Sequence, residues 1–287
     1  MKKIIKKIIK KLLNAGEKET VSDSLQKKKY SFFKKINKKK FGVKDIKVIL
    51  STLGLKSGDT VIVHCAWRSF IGFEGSPQDI IDMIKSIIGP SGTILMPAFT
   101  SNFDVFKYDD RSDAGVLSEI FRKMNGVQRS LNSVFSMCAY GRLANYYLKD
   151  HLKSEYCFDD NSPYYKAIEN NAKVLLLGLG KNPHKITLFH CVSYSLKDKV
   201  EYYKNVYSLE KNVKIFDKNN KKISKIIIDR QPNFQNSKRK FKKLFKKFIK
   251  NRNYKKINFV DIYLFETKEL FNNVYDFILN NNFEIYK

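Results

Sequence analysis

The spacing of apolar positions changes period along this chain, and the changes mark its elements. Val61-Ile62-Val63 is a short unbroken apolar run bounded by Gly58-Asp59, which predicts a buried strand. Between residues 80 and 88 the apolar side chains fall at helical spacing and stop at Gly89-Pro90, which predicts a helix and its end. Thr93-Ile94-Leu95-Met96 predicts a second buried strand, closed by Pro97. Two strands joined by a helix form a βαβ unit, and parallel strands present ligands at their carboxyl ends. Those ends carry His64, Cys65, Ala66 and Arg68 in one strand and Pro97 to Thr100 in the other.

The pattern continues on both sides of this unit. Residues 44–53 predict an opening helix, 115–124 a helix, 133–141 a strand and 164–170 a short helix. Residues 173–179 predict a strong strand, and 188–196 a helix that carries His190. Strand-like runs follow at 223–228 and 259–265, then a terminal helix at 268–279. The stretch 101–113 reads as loop and holds Asp104, Asp109 and Asp110. Strands alternating with helices indicate an α/β fold, here expected as a layered α/β/α sandwich with a central mixed sheet.

Composition bounds the reading. A chain of 287 residues, 43% hydrophobic, has enough apolar surface for a full core. No apolar run approaches the roughly 20 residues that span a bilayer, and the N-terminus lacks the pattern of a secretory signal peptide. Cys65, Cys138, Cys157 and Cys191 are widely spaced, with no CxxC pair, which argues for free thiols in a reducing cytoplasm and against a zinc site.

Charge changes the picture most. The formal net charge is +27, of which residues 1–40 hold +12 and residues 211–256 hold +16. The remainder is near neutral. We therefore expect a basic amphipathic extension and linker at 1–40 and one domain at 41–287 that includes the lysine-rich segment 211–256. Ile4, Ile5, Ile8, Ile9, Leu12 and Leu13 alternate in pairs with pairs of lysines. Phe241, Leu244, Phe245, Phe248 and Ile249 repeat the arrangement. Such stripes suit an anionic membrane surface, and the second equally suits a helix packed on the core with a solvated lysine face. Nucleic acid is not an expected partner, because both segments are lysine-rich, arginine-poor and without a recognition motif.

The ordered motifs resemble the aminoglycoside N(3)-acetyltransferase, or antibiotic N-acetyltransferase, family. The resemblance rests on Gly58-Asp59-Thr60, Val63-His64, Gly89-Pro90, Gly92-Thr93 and Met96 to Thr100. It continues through Gly115-Val116-Leu117, Arg129-Ser130, Ser162-Pro163, Val174 to Gly180 and Thr187 to His190. It implies an acetyl-CoA-dependent transfer of an acyl group to the amine of an amino sugar, with no metal. The acceptor it implies is an aminoglycoside or, favoured by the basic appendages, an anionic cell-surface glycan precursor.

The resemblance also assigns roles. His190 matches a catalytic histidine, the general base for the amine. His64, Cys65 and Ala66 fall where the family contacts the coenzyme A thioester, and Ser136 fits a family serine. By position alone, Arg68 and Thr100 at the two strand ends are candidates for the cofactor's phosphates or amides, and the loop acids Asp104, Asp109 and Asp110 for a cationic acceptor. Three departures stand out. Ser193 occupies the position three after the histidine where the family carries a glutamate; Cys65-Ala66 replaces two serines; Asn132-Ser133 replaces His-Pro. The first removes the carboxylate that would orient the imidazole, so a relative that has lost catalysis and binds a glycan or a membrane is the alternative. Cys65 beside His64 also allows a thiolate acyl carrier, against the reading of Cys65 and Cys191 as small buried hydrophobes.

Overall fold

A computed structural model of the protein describes residues 21–180 and 186–287. The stripe at residues 4–13 and most of the loop that precedes residue 187 lie outside the described residues.

Strand β1 (Thr60–Cys65) lies inside a seven-stranded sheet, parallel to β2 (Thr93–Pro97) on one side and to β6 (Lys173–Leu177) on the other. Antiparallel strands extend both edges: β5 (Met137–Gly141) and β4 (Gln128–Arg129) beyond β2, β10 (Val260–Glu266) and β9 (Tyr254–Ile257) beyond β6. The chain leaves β1 for opposite neighbours in turn, so the carboxyl end of β1 is a switch point, where an open sheet leaves a crevice.

Helices cover both faces. Val61 and Val63 face a layer built from α2 (Val43–Thr52), α3 (Pro77–Ile88) and α4 (Val116–Arg122). Ile62 faces the other layer, where α5 (Ala144–Leu148), α6 (Pro163–Glu169), α7 (Leu188–Ser195), α8 (Glu201–Val206), α9 (Lys238–Phe248) and α10 (Thr267–Asn281) bury their apolar sides. The side-chain alternation of a strand divides the core in this way. Helix α3 shows how local sequence sets an element. Ser76 and Asp79 form a reciprocal capping box, Pro77 occupies the first turn, and Gly89 ends the helix at φ +65°.

The structure corrects four boundaries. Residues 101–113 are not all loop: β3 (Val105–Lys107) pairs parallel with β7 (Leu209–Phe216), which pairs antiparallel with β8 (Lys222–Asp229) in a separate sheet. Three residues are too few to show a period. The strand expected from 133 starts at Met137, because the Asn132 side chain accepts the Val134 and Phe135 N–H groups and turns the chain. The strand expected to reach 179 ends at Leu177, where Gly178 takes φ +72°. A side chain there would collide with Ser69, since a Cβ on Gly178 would lie 1.7 Å from Ser69 Oγ.

The fourth correction concerns the extension. Residues expected as linker form helix α1 (Val21–Ile36), whose Phe33 ring meets Phe259 at 4.9 Å. Leu25, Phe32 and Ile36, spaced seven and four apart, are 52%, 59% and 54% exposed, so this stripe does not enter the core. Helix α9 does the opposite: Phe241, Leu244 and Phe245 are buried while Lys238, Lys243, Lys246 and Lys247 face solvent. The second amphipathic segment is thus a core helix with a solvated lysine face.

His151 is fully buried, with Nδ1 2.7 Å from Ser130 Oγ, and burial beside Lys166 and Lys225 pushes its imidazole down to about 3. An unfolded chain protonates this histidine near pH 6.5. Its contribution to stability is therefore complete above pH 6.5 and is lost as pH falls from there toward 3. Lowering pH from 7 to 5 should withdraw about 2 kcal/mol at this one site. Urea unfolding at both pH values tests this, with His151→Asn expected to flatten the slope.

Candidate active site

The carboxyl end of β1 is tied to that of β6, and the carboxyl end of β2 to the start of β5. Ala66 N–H donates to Leu177 O at 2.8 Å, and Ala98 N–H donates to Ser136 O at 2.8 Å. After β1 the chain makes a single 3-10 turn, Trp67–Ser69, opened by Ser69 N–H donating to Ala66 O at 3.0 Å. The N–H groups of Trp67 and Arg68 precede that first bond and are not used by the turn.

The residues expected at the β1 end separate by face. Ala66 packs against the layer that contains α7, and Cys65 against the opposite layer with Val61 and Val63. By the same alternation His64 shares the face of Ile62 and Ala66. Burial holds the His64 imidazole down to about 4 and pushes the Cys65 thiol up, so both are neutral at pH 7. A protonated thiol on the face opposite His64 is not paired with it to act as a thiolate acyl carrier. Cys191 is buried, and burial raises its thiol as well. Arg68 is exposed.

The polar residues near β2 serve a different element. Thr100 is buried and its hydroxyl donates to Asn102 O at 3.1 Å. Ser136, fully buried, donates to Ala98 O at 2.8 Å and accepts from Arg129 Nε at 3.3 Å. Arg129 is the hub that sequence reading passed over. Its guanidinium also donates to Tyr108 O at 2.8 Å, to Asp110 O at 2.6 Å and to Ala98 O, and it lies 4.6 Å over the Phe106 ring. A buried arginine held by carbonyls ties residues 108–110 to the end of β2 and fixes one wall of the crevice. Asp104 and Asp109 are both exposed on this loop. Asp110 and Asp113 are engaged by the loop itself, accepting from Lys107 N at 2.8 Å and from Ser101 N at 2.8 Å.

His190 stands on α7, 9% exposed, in a cage of rings. Phe135, Phe158, Phe241 and Tyr286 have centroids 6.4, 5.8, 5.6 and 5.9 Å from its own, and Tyr286 is nearly parallel to it at 5°. Phe135 also meets Phe99 at 6.1 Å, so one ring connects the β2 exit to the imidazole. The His190 Nδ1 lies 2.8 Å from the Tyr286 hydroxyl. Ser193, three residues on and therefore on the same helix face, lies 2.8 Å from Tyr286 Oη and 2.5 Å from Tyr207 Oη. Ser193 and Tyr207 both donate to His190 O, at 2.9 and 3.1 Å. Burial raises Tyr286 and Tyr207, so both phenols keep their protons.

A carboxylate at position 193 would run into those two phenols. The serine leaves room for them, and the hydroxyl cluster occupies the orienting position. Neither tyrosine was legible as a site residue. The one signal is a short side chain where the resemblance leads one to expect a long acid.

Comparison with known proteins identifies the family and the fold. The family model described as aminoglycoside 3-N-acetyltransferase matches residues 62–278. Aminoglycoside N(3)-acetyltransferase IV from a Salmonella species is 32% identical over 136 residues, covering 46% of this chain and 51% of that protein. The chain thus spans about half the length of the curated relative it matches. Among solved structures, AAC-IIIb in a binary complex with CoASH aligns with a TM-score of 0.70 at 20% identity, covering 84% of this chain and 97% of that one. AAC-VIa bound to sisomicin aligns with a TM-score of 0.70 at 16% identity, covering 84% and 98%. At these identities the two structures establish the shared fold.

Replacing Arg129 by methionine keeps the volume but leaves Tyr108, Asp110 and Ala98 carbonyls without their donor. The expected cost is about 3 kcal/mol, read as a lower urea midpoint, together with faster proteolytic nicking within residues 101–113.

Proposed function

The chain belongs to the aminoglycoside 3-N-acetyltransferase family, and on that premise we propose that it transfers an acyl group from a coenzyme A thioester to the amine of an amino sugar, with His190 as general base. The observation that carries this reading is His190 on a buried helix face, linked through the Phe135 ring to Phe99 just beyond β2, with Nδ1 held at 2.8 Å by a neutral hydroxyl. The sisomicin and CoASH bound to two structural neighbours support the substrate classes.

In this scheme the acceptor nitrogen attacks the thioester carbonyl. The N–C bond forms, the C–S bond breaks, and the proton from nitrogen passes to His190 and then to the departing thiolate. The N–H groups of Trp67 and Arg68 are the donors we assign to the oxyanion, since the turn leaves them unused. His64, Ala66 and Thr100 would line the thioester channel. Ser136 and Cys65 would act from behind it, one through Arg129 and one from the opposite layer. Asp104 and Asp109, exposed above the β2 exit, are available to a cationic acceptor.

For the acceptor we favour an anionic amino sugar, such as a glycan precursor at the cell surface, because a net charge of +27 repels a polycationic antibiotic at long range. The exposed apolar stripe on α1 supports a peripheral seat on an anionic lipid surface: Leu25, Phe32 and Ile36 lie unburied in an extension of net charge +12. The replacement of glutamate by Ser193 favours a second reading, a relative that binds its glycan without turning it over.

Release of free thiol from acetyl-CoA, measured with aminoglycosides and with nucleotide-linked amino sugars, separates these readings. We expect turnover with the anionic acceptors and a loss of about 10²- to 10⁴-fold in His190→Ala. Turnover unaffected by that substitution would remove His190 from the chemistry; saturable thioester binding without turnover would support the second reading. Sedimentation with phosphatidylglycerol vesicles should carry the protein down, and removal of residues 1–36 should abolish it.

A further inference from the structure

We propose that the exposed lysine face of α9 is a binding surface for an anionic glycan, and that it holds the charged part of the acceptor beside the His190 cage. The proposal rests on the reading of the site as one that acylates an amino sugar, and it assigns the part of the protein that meets the negative charge.

Helix α9 has two unlike faces. Phe241, Leu244 and Phe245 are buried, and the Phe241 ring lies 5.6 Å from the His190 ring and 5.4 Å from that of Phe189. The inner face of α9 is therefore one wall of the cage. On the outer face Lys238, Arg239, Lys243, Lys246 and Lys247 are exposed. The helix is 11 residues long and carries seven cations and no acid. All seven stand within about 16 Å along its axis.

The fold does not require this density of charge. Cations three and four residues apart repel along a helix face, as Arg239 and Lys243, Lys243 and Lys246, and Lys243 and Lys247 do here. The first turn holds Lys238, Arg239 and Lys240 without an acid, at the end of the helix dipole that disfavours positive charge. Among the described residues, Lys240 alone of the seven has an anionic partner, Glu284 at 3.8 Å, and it also donates to Tyr286 O. Lys243 and Lys247 lie over the Phe283 and Phe277 rings at 5.1 and 4.8 Å. Those contacts fix where the ammonium groups stand without neutralising them. An external polyanion relieves the repulsion.

The chemistry of the face selects the kind of polyanion. No large hydrophobic side chain of α9 is exposed, so the face has nothing to insert among acyl chains. The lipid contact assigned to α1 is separate, since that helix does expose Leu25, Phe32 and Ile36. Nor does α9 present an exposed ring on which bases would stack. Six of its seven cations are lysines, which lack the planar fork with which arginine grips phosphates and base edges. A hydrophilic chain carrying spaced acidic groups fits what remains, and at a site that acylates amino sugars that chain is the acceptor glycan. The row stands about 10 Å from the cage, one helix diameter, so the amine of a glycan held there stays close to His190.

Fluorescence anisotropy of labelled polygalacturonate oligomers with the full chain tests this. Binding should weaken as salt rises. In the variant Arg239→Gln/Lys243→Gln/Lys246→Gln/Lys247→Gln, Kd should rise about 10-fold or more. Its melting temperature should hold or rise, because glutamine keeps the helix propensity and removes the repulsion. Lys214→Gln/Lys218→Gln/Lys221→Gln/Lys222→Gln removes the same charge from exposed positions of the β7–β8 hairpin and should leave Kd within about 2-fold. Equal weakening by the two variants would show that binding follows net charge alone and would overturn the proposal. Tighter binding of phosphatidylglycerol vesicles or single-stranded DNA through the same four residues would overturn it too. Turnover that depends on His190, with oligomer binding indifferent to α9, removes the surface alone. Oligomers bound through α9 by a protein whose turnover ignores His190→Ala would instead remove the catalytic reading and leave the surface in place.

Discussion

A single buried contact, His190 Nδ1 to the Tyr286 hydroxyl at 2.8 Å, joins the two ends of this protein's chemistry. One partner sits on α7, where the Phe135 ring links it to Phe99 just beyond β2. The other sits at the end of the chain and reaches its place only when α8, α9 and the segment at 235–236 are assembled around it. The imidazole is therefore oriented by long-range packing.

Electrostatics explain what such a partner can and cannot supply. A carboxylate beside an imidazole fixes its orientation and stabilises its protonated form. A neutral phenol fixes the orientation as well, through the same hydrogen bond, and contributes dipole in place of charge. Ser193, Tyr207 and Tyr286 are all uncharged, and Arg230 and Lys240 touch the same tyrosine from outside. On the proposed function, such a site would rely on alignment and on the assigned oxyanion donors more than on a stabilised imidazolium. That balance fits an active site enclosed by rings, where a paired charge would cost more to bury than a hydroxyl does.

The strongest sequence signals were those with a period. Val61 to Val63, the helix at 80–88 and the run at 93–96 all stand where spacing and end signals put them, because buried strands and amphipathic helices leave repeating marks. His190 was singled out through the motif it ends, and it stands in a cage of rings. The three-residue strand at Val105–Lys107 was not, since its partner lies over one hundred residues away in β7. Nor was α1, whose apolar positions are spread among lysines. Arg129 and Tyr286 act through contacts that no neighbouring residue announces: one collects carbonyls from a distant loop, the other meets its histidine 96 residues along the chain. Long-range polar contacts of this kind depend on tertiary placement, and a lone substitution such as Ser193 is the only trace they leave.

The central claim is that the crevice at the end of β1 and the imidazole on α7 form one site. A crystal structure of the protein with coenzyme A tests it most directly. The thiol sulfur should lie beside the Trp67–Ser69 turn with His190 Nε2 directed at it across the space an acceptor amine would fill. Coenzyme A bound with its thiol on the Cys65 side of the sheet, or with the His190 cage closed away from the sulfur, would contradict the account.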